Sequence, residues 1–107
     1  MALHQELAAG RWQTFTLAEQ LGNIGSEINR ALNWKERGNA ARVTSALERG
    51  LELLDLTLAD PRWRGRYKEL ARAREIACDY LAGENAYNST PDALRKYFDA
   101  FALAAQR

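Results

Sequence analysis

The apolar residues Leu17, Leu21, Ile24, Ile28 and Ala31 follow one another at steps of four, three, four and three. That spacing puts all five on one face of an α-helix and does not match the two-residue alternation of a strand. The run crosses an unusual stretch, Gly22-Asn23-Ile24-Gly25-Ser26-Glu27-Ile28-Asn29-Arg30, with two glycines and two asparagines. An interior glycine costs a helix roughly 1 kcal/mol against alanine. The stripe nevertheless keeps its phase, so the helix reads as continuous and the glycines need another explanation. Gly22, Gly25, Ser26 and Asn29 fall on or near one flank, where small side chains predict the close approach of another backbone, within a bundle or across a dimer. Glu27 projects from the neighbouring flank.

The same periodicity governs the rest of the chain, and the punctuation between segments is strong. Thr16 followed by Glu19 is a capping box that starts the first long helix, and Gly38 stops it. Asn39 caps a second helix with apolar positions Val43, Leu47, Leu51, Leu54 and Leu58, ending at Asp60-Pro61. A third helix over roughly residues 64 to 82 carries Tyr67, Leu70, Ala77 and Leu81 on one stripe and ends at Gly83. Thr90-Pro91-Asp92 opens a fourth, with Leu94, Tyr97, Phe98, Phe101 and Ala105. A short opening helix at roughly residues 3 to 9 stops at Gly10, after which Trp12 and Phe15 fold back onto the core. No run alternates long enough for a strand. The expected fold is all-α, a four-helix up-down bundle with a short extra N-terminal helix, in a single domain over residues 1–107.

Composition narrows function mainly by exclusion. Fifteen Lys and Arg against fourteen Asp and Glu leave no global field to draw the chain to nucleic acid or to a membrane, so electrostatic recognition must be local. One histidine, His4, and one cysteine, Cys78, cannot build a zinc site of His and Cys or the Glu-x-x-His pairs of a di-iron bundle. Neither a metal nor a cofactor is implied, and no phosphate-binding glycine loop or nucleophile elbow is present. Cys78 lies beside the inner stripe of its helix and reads as a small core residue. The opening MALHQELAAG lacks the basic start and apolar core of a signal peptide, and no segment approaches the ~18 apolar residues of a membrane span. A cytoplasmic location is the expectation.

Two constellations stand out. In Arg62-Trp63-Arg64-Gly65-Arg66-Tyr67-Lys68, basic residues interleave with aromatic ones, the pattern of a small phosphate-binding patch. Arg62, Trp63, Arg64, Arg66 and Lys68 are its candidate nucleic-acid contacts; the competing reading makes Arg64, Lys68 and Arg72 a solvated ridge, with Trp63 and Tyr67 turned to the core. The second is Arg74, on the same stripe as Tyr67, Leu70, Ala77 and Leu81, where a guanidinium needs an acceptor. Glu27 is a candidate partner, and Asp79 is another if two chains meet there. Arg74, Glu27, Asp79 and Tyr80 could together line a polar cleft for a ligand or partner.

The run Arg74-Glu75-Ile76-Ala77-Cys78-Asp79-Tyr80 resembles a degenerate HEPN motif, in which an Arg is followed a few residues later by a His and often a Tyr. HEPN domains are small helical bundles, often dimeric, and many are encoded beside minimal nucleotidyltransferases whose substrate-binding bundles share the architecture. The resemblance implies a nucleotidyltransferase as protein partner, RNA or a nucleotide as ligand, and Arg74 and Tyr80 at motif positions. Asp79 stands where the motif has its catalytic histidine, so nuclease chemistry is not implied. The chain as a whole, from LAEQLGNIGSE to YFDAFALAAQ, also resembles small bacterial proteins of unknown function. The leading functional expectation is a non-enzymatic interaction module, working as a homodimer or with a protein partner. The alternative is an HEPN-like RNA- or nucleotide-binding domain without the catalytic histidine.

Overall fold

A computed structural model describes residues 10–106; the expected opening helix and His4 lie outside the described residues. Four α-helices form the bundle: α1 (Leu17–Glu36), α2 (Ala40–Leu58), α3 (Tyr67–Leu81) and α4 (Pro91–Ala105). The predicted starts hold atom by atom. Thr16 and Glu19 exchange both bonds of the capping box, the Asn39 side chain accepts from Arg42 N–H, and the Thr90 hydroxyl accepts from Ala93 N–H ahead of Pro91. Gly38, at φ +73°, ends α1 in the left-handed conformation that favours glycine.

Contacts between helices give their directions. Trp34 and Arg42 meet beside the α1–α2 turn, and Gly50 lies against Ile28 farther along, so α1 and α2 are antiparallel. Arg95 bonds Asn33 and Asn29 while Phe98 faces Gly25, so α4 also runs antiparallel to α1. Trp63, just ahead of α3, bonds Gln20 near the start of α1, and Tyr80 near the end of α3 meets Lys35 near the end of α1. α1 and α3 are therefore parallel and the bundle is up-down, with α1 central, packed on α2 and α4, and α3 laid against α2.

The α1 stripe is buried as the spacing requires: Leu21, Ile24, Ile28 and Ala31 reach almost no solvent. In α2 the fully buried set is Val43, Ala46, Leu47, Gly50, Leu53, Leu54 and Thr57, with Leu51 and Leu58 moved to the edge. Gly50 lies on this buried face. A Cβ there would sit 3.2 Å from Ile28 Cδ1 and 3.5 Å from Glu27 Cβ, so α1 crosses α2 closely at this residue.

α3 departs most from expectation. It begins at Tyr67 instead of residue 64, after a 3-10 run, Pro61–Arg66, in which Trp63 leaves helical geometry (φ −104°, ψ 20°). Asp60 caps this run by accepting from Arg62 N–H, and the Trp63 indole turns to donate to Gln20. Within α3 the expected stripe holds at Leu70, Ala77 and Leu81, which Ala73 joins, while Tyr67, expected on the inner face, is 55% exposed.

A polar network holds the lower end of the bundle. The buried Trp12 indole donates to Thr57 Oγ1 (2.9 Å), and that hydroxyl donates to the Leu53 carbonyl. Gln20 donates to the Trp12 carbonyl (2.9 Å) and accepts from Trp63 Nε1 (2.8 Å). Every buried polar group in this cluster thus has a partner, as burial demands. Phe15 packs edge-on to Trp12, so both aromatics fold back as predicted.

Candidate functional site

Glu27, Arg74, Asp79 and Tyr80, expected to line one cleft, are each held by partners within the chain. Glu27, buried at the α1–α2 crossing, accepts from Arg30 Nη1 (2.6 Å) and from Arg49 Nε (2.9 Å). Arg74 does not reach it. Its Nε donates to Asp55 Oδ1 at 2.8 Å, tying α3 to α2. Ala73 and Ala77 occupy the core stripe, and Arg74 at its margin is turned toward α2. Asp79 accepts from the backbone N–H groups of Ala86 (2.7 Å) and Tyr87 (3.1 Å), clasping the connection between α3 and α4. Asn85 and Asn88 make that connection possible by taking positive φ, 56° and 53°, which asparagine tolerates better than most residues. Tyr80 turns to α1, its ring 5.2 Å from Lys35 Nζ.

Of the four residues expected to share a cleft, the structure brings two together. Arg74 and Asp79 line a shallow depression on α3 with Glu75, Cys78 and Tyr87; Glu27 and Tyr80 do not. Cys78 is half-buried there, and burial pushes its thiol up, opposed by the Arg74 guanidinium 4.0 Å from its sulfur.

The basic turn also divides. Arg62 is anchored through Asp60 (Nη2 to Oδ2, 2.7 Å) and the Phe15 carbonyl (2.9 Å), with its guanidinium over the Trp63 ring. The guanidinium beside the buried Asp60 holds that carboxyl below its ordinary value, outweighing the opposing effect of burial. Arg66 pairs with Glu69 and lies over Phe101. Arg64 and Lys68 remain exposed at the surface, continuing along α3 to Arg72 as the ridge reading expected.

A more enclosed concavity than that depression lies elsewhere, between α1 and α4. Gly22, Gly25, Ser26 and Asn29 form one wall and Arg95 and Asp99 line the other, around about 190 Å³ of open volume. Leu21, Ile28, Leu32, Leu94 and Phe98 make an apolar floor. Arg95 fixes the upper rim by donating to Asn29 (2.8 Å), Asn33 (2.8 Å) and Glu36 (2.9 Å), which closes α4 onto α1. Ser26 and Asn23 keep their side chains against the helix by donating back to the Gly22 and Glu19 carbonyls.

Among the described residues the glycine flank is thus open, and no backbone of the bundle makes the close approach expected there within the chain or across a dimer. A Cβ at Gly22 would meet nothing within 4 Å, and one at Gly25 would find only Phe98 Cβ, at an ordinary 3.8 Å. The tight approach belongs to Gly50. Sequence reasoning did not single out Arg95, Gln20 or Asp60. Asp60 carried a signal, as the residue before Pro61, but was read only as a stop; Gln20 and Arg95 look like any surface polar residue.

No family model, no curated protein and no solved structure matches this chain. No helix among the described residues is long and apolar enough to cross a membrane.

Proposed function

We propose that this chain is a small, non-enzymatic interaction module, acting as a homodimer or with a protein partner, and that the α1–α4 cleft receives side chains of a protein partner. The observation that carries this reading is the pair of open glycines. Two interior glycines cost α1 about 2 kcal/mol against alanine, and at Gly22 no other part of the described chain fills the space gained. The gain is surface shape: a concavity of about 190 Å³, room for roughly six waters at ~30 Å³ each. Its apolar floor and polar rim of Asn29, Arg95 and Asp99 suit one or two small apolar side chains flanked by groups that bond the rim. Meanwhile Glu27, Arg74 and Asp79 are already engaged in holding helices and connections. That supports a structural role for them over a chemical one.

The test fills the cleft without unfolding the bundle. Gly25→Leu and Ser26→Leu each place an aliphatic side chain at the wall, and both should melt at or above the wild-type temperature. A protein that co-purifies with the wild-type chain should be lost with both variants. Equal retention by the folded variants would show that the cleft is not the binding surface.

A further inference from the structure

Most arginines of the described chain are held by carboxylates: Arg30 and Arg49 by Glu27, Arg62 by Asp60, Arg66 by Glu69, Arg74 by Asp55 and Arg95 by Glu36. Arg37 and Arg42, on either side of the α1–α2 turn, are held differently. Both guanidiniums lie against the half-buried Trp34 ring, Arg37 at 5.4 Å and Arg42 at 4.6 Å from its centroid. Both residues are exposed, and among the described residues neither side chain donates a hydrogen bond or pairs with a carboxylate. A guanidinium over a ring engages it through its charge and its flat face, so the N–H fork around its edge stays free. One ring thus positions two unused forks close together. The backbone beneath them is fixed, because the N–H groups of Arg37, Gly38 and Asn39 all bond carbonyls in the last turn of α1. Farther along the same pair of helices, Arg30 and Arg49 share the single buried carboxylate of Glu27, which leaves that cluster net positive as well.

A planar N–H fork matches a carboxylate in a bidentate pair, and Trp and Arg are the side chains most enriched where protein partners bind tightly. We infer that the α1–α2 turn binds an acidic segment of a protein partner, two neighbouring carboxylates of which are taken by Arg37 and Arg42 while Trp34 holds both guanidiniums in place. Neither arginine nor Trp34 lines the α1–α4 cleft, so the inference goes beyond the proposed function and stands apart from it. A nucleic acid is the less favoured occupant. Glu36 next to Arg37 and the exposed Glu48 on α2 repel a continuous polyanion, and the near-zero net charge supplies no long-range attraction.

The experiment follows the fluorescence anisotropy of a labelled hexaglutamate peptide, and of a labelled hexauridine, at low and high salt. The chains compared are the wild type, R37Q/R42Q, R37K/R42K, the single variants R37Q and R42Q, and R64Q/K68Q, which removes the same charge from exposed positions elsewhere. Melting curves accompany each chain; the single variants change one exposed residue and keep the test open if a double variant fails to fold. The wild type should bind hexaglutamate, and more weakly in high salt. R37Q/R42Q should weaken binding at least about tenfold, and each single variant by a smaller factor. R37K/R42K keeps the charge without the fork or its flat face, and should also bind more weakly than the wild type. R64Q/K68Q should bind as the wild type does. No binding at millimolar peptide, full affinity in folded R37Q/R42Q or R37K/R42K, or an equal loss in R64Q/K68Q overturns the inference. So does tighter binding of hexauridine than of hexaglutamate through the same two arginines, or a wild-type dimer in sedimentation equilibrium that R37Q/R42Q abolishes, since the occupant is then nucleic acid or a second copy. Gly25→Leu should leave peptide binding intact while it fills the cleft, so failure here is distinguishable from failure of the cleft reading.

Discussion

Replacing Gly22 and Gly25 by alanine should stabilise this protein, because among the described residues nothing stands in the way of the added methyl groups. Both residues lie inside α1 without positive φ. An added Cβ meets nothing within 4 Å at Gly22, and at Gly25 its nearest neighbour is Phe98 Cβ at 3.8 Å, ordinary van der Waals contact. With no clash to subtract, the preference of alanine over glycine in a helix interior is the whole effect, about 1 kcal/mol at each site and about 2 kcal/mol together. A domain of this size gains roughly 4 °C or more in Tm per kcal/mol. Gly50→Ala is the internal control. Its Cβ would press on Ile28 Cδ1 at 3.2 Å and Glu27 Cβ at 3.5 Å, so the same helical gain is offset by moving Ile28 and the net change should fall below that at Gly22. Urea unfolding followed by far-UV circular dichroism reads the wild type and all four variants. A lower midpoint for Gly22→Ala with an unchanged slope would refute the reasoning, since it would mean that the chain packs something against that glycine.

Thr57→Val removes the hydroxyl that accepts from the buried Trp12 indole and should cost about 1–3 kcal/mol in the same urea assay, despite its nearly equal volume. Asp60→Asn tests pH dependence. The folded Asp60 carboxyl titrates below its ordinary value, so its contribution is present above the ordinary aspartate range and is lost as pH falls through the lower folded value. The variant should therefore be less stable at neutral pH, with its stability curve converging on the wild type's as both are acidified below about pH 4. Arg74→Met should change stability by no more than about 1 kcal/mol, because Arg74 and Asp55 form a pair exposed at 39% and 56%. A loss of several kcal/mol on thermal unfolding would instead make Arg74 the core residue that the sequence pattern suggested.

The fold was legible where local signals acted alone. Thr16 with Glu19, Asn39, Gly38 and Thr90-Pro91 each act within a few residues, and each start and stop fell where these residues placed it. The third helix departed at its start, which is set from a distance: Trp63 leaves helical geometry and donates to Gln20, forty-three positions away in sequence, and α3 begins only at Tyr67. Leu70, Ala77 and Leu81 keep the expected stripe, while Ala73 takes the inward position beside Arg74 and Tyr67 stays exposed. A periodicity count cannot register a hydrogen bond of that span. The same limit governed the site. Small residues at three- and four-residue steps are equally able to admit a neighbouring backbone or to leave a cleft, and the choice depended on where α4 lies, which Arg95 fixes through bonds to Asn29, Asn33 and Glu36. The glycine that does admit a backbone, Gly50, is a single residue among leucines with no pattern to mark it.

The central claim, that α1 keeps its glycines to leave a docking cleft beside α4, is tested most directly by photocrosslinking from the cleft's edge. Asn23 is exposed, lies one turn before Glu27 and shares the surface of Gly22 and Ser26, so a benzophenone side chain there reaches the opening without filling it. Irradiation in cell extract should yield one discrete protein adduct from position 23 and none from Thr44 on the outer side of α2, with the adduct abolished by Gly25→Leu. An adduct from position 44 and none from position 23, or an adduct from position 23 that survives Gly25→Leu in a folded chain, would contradict the account.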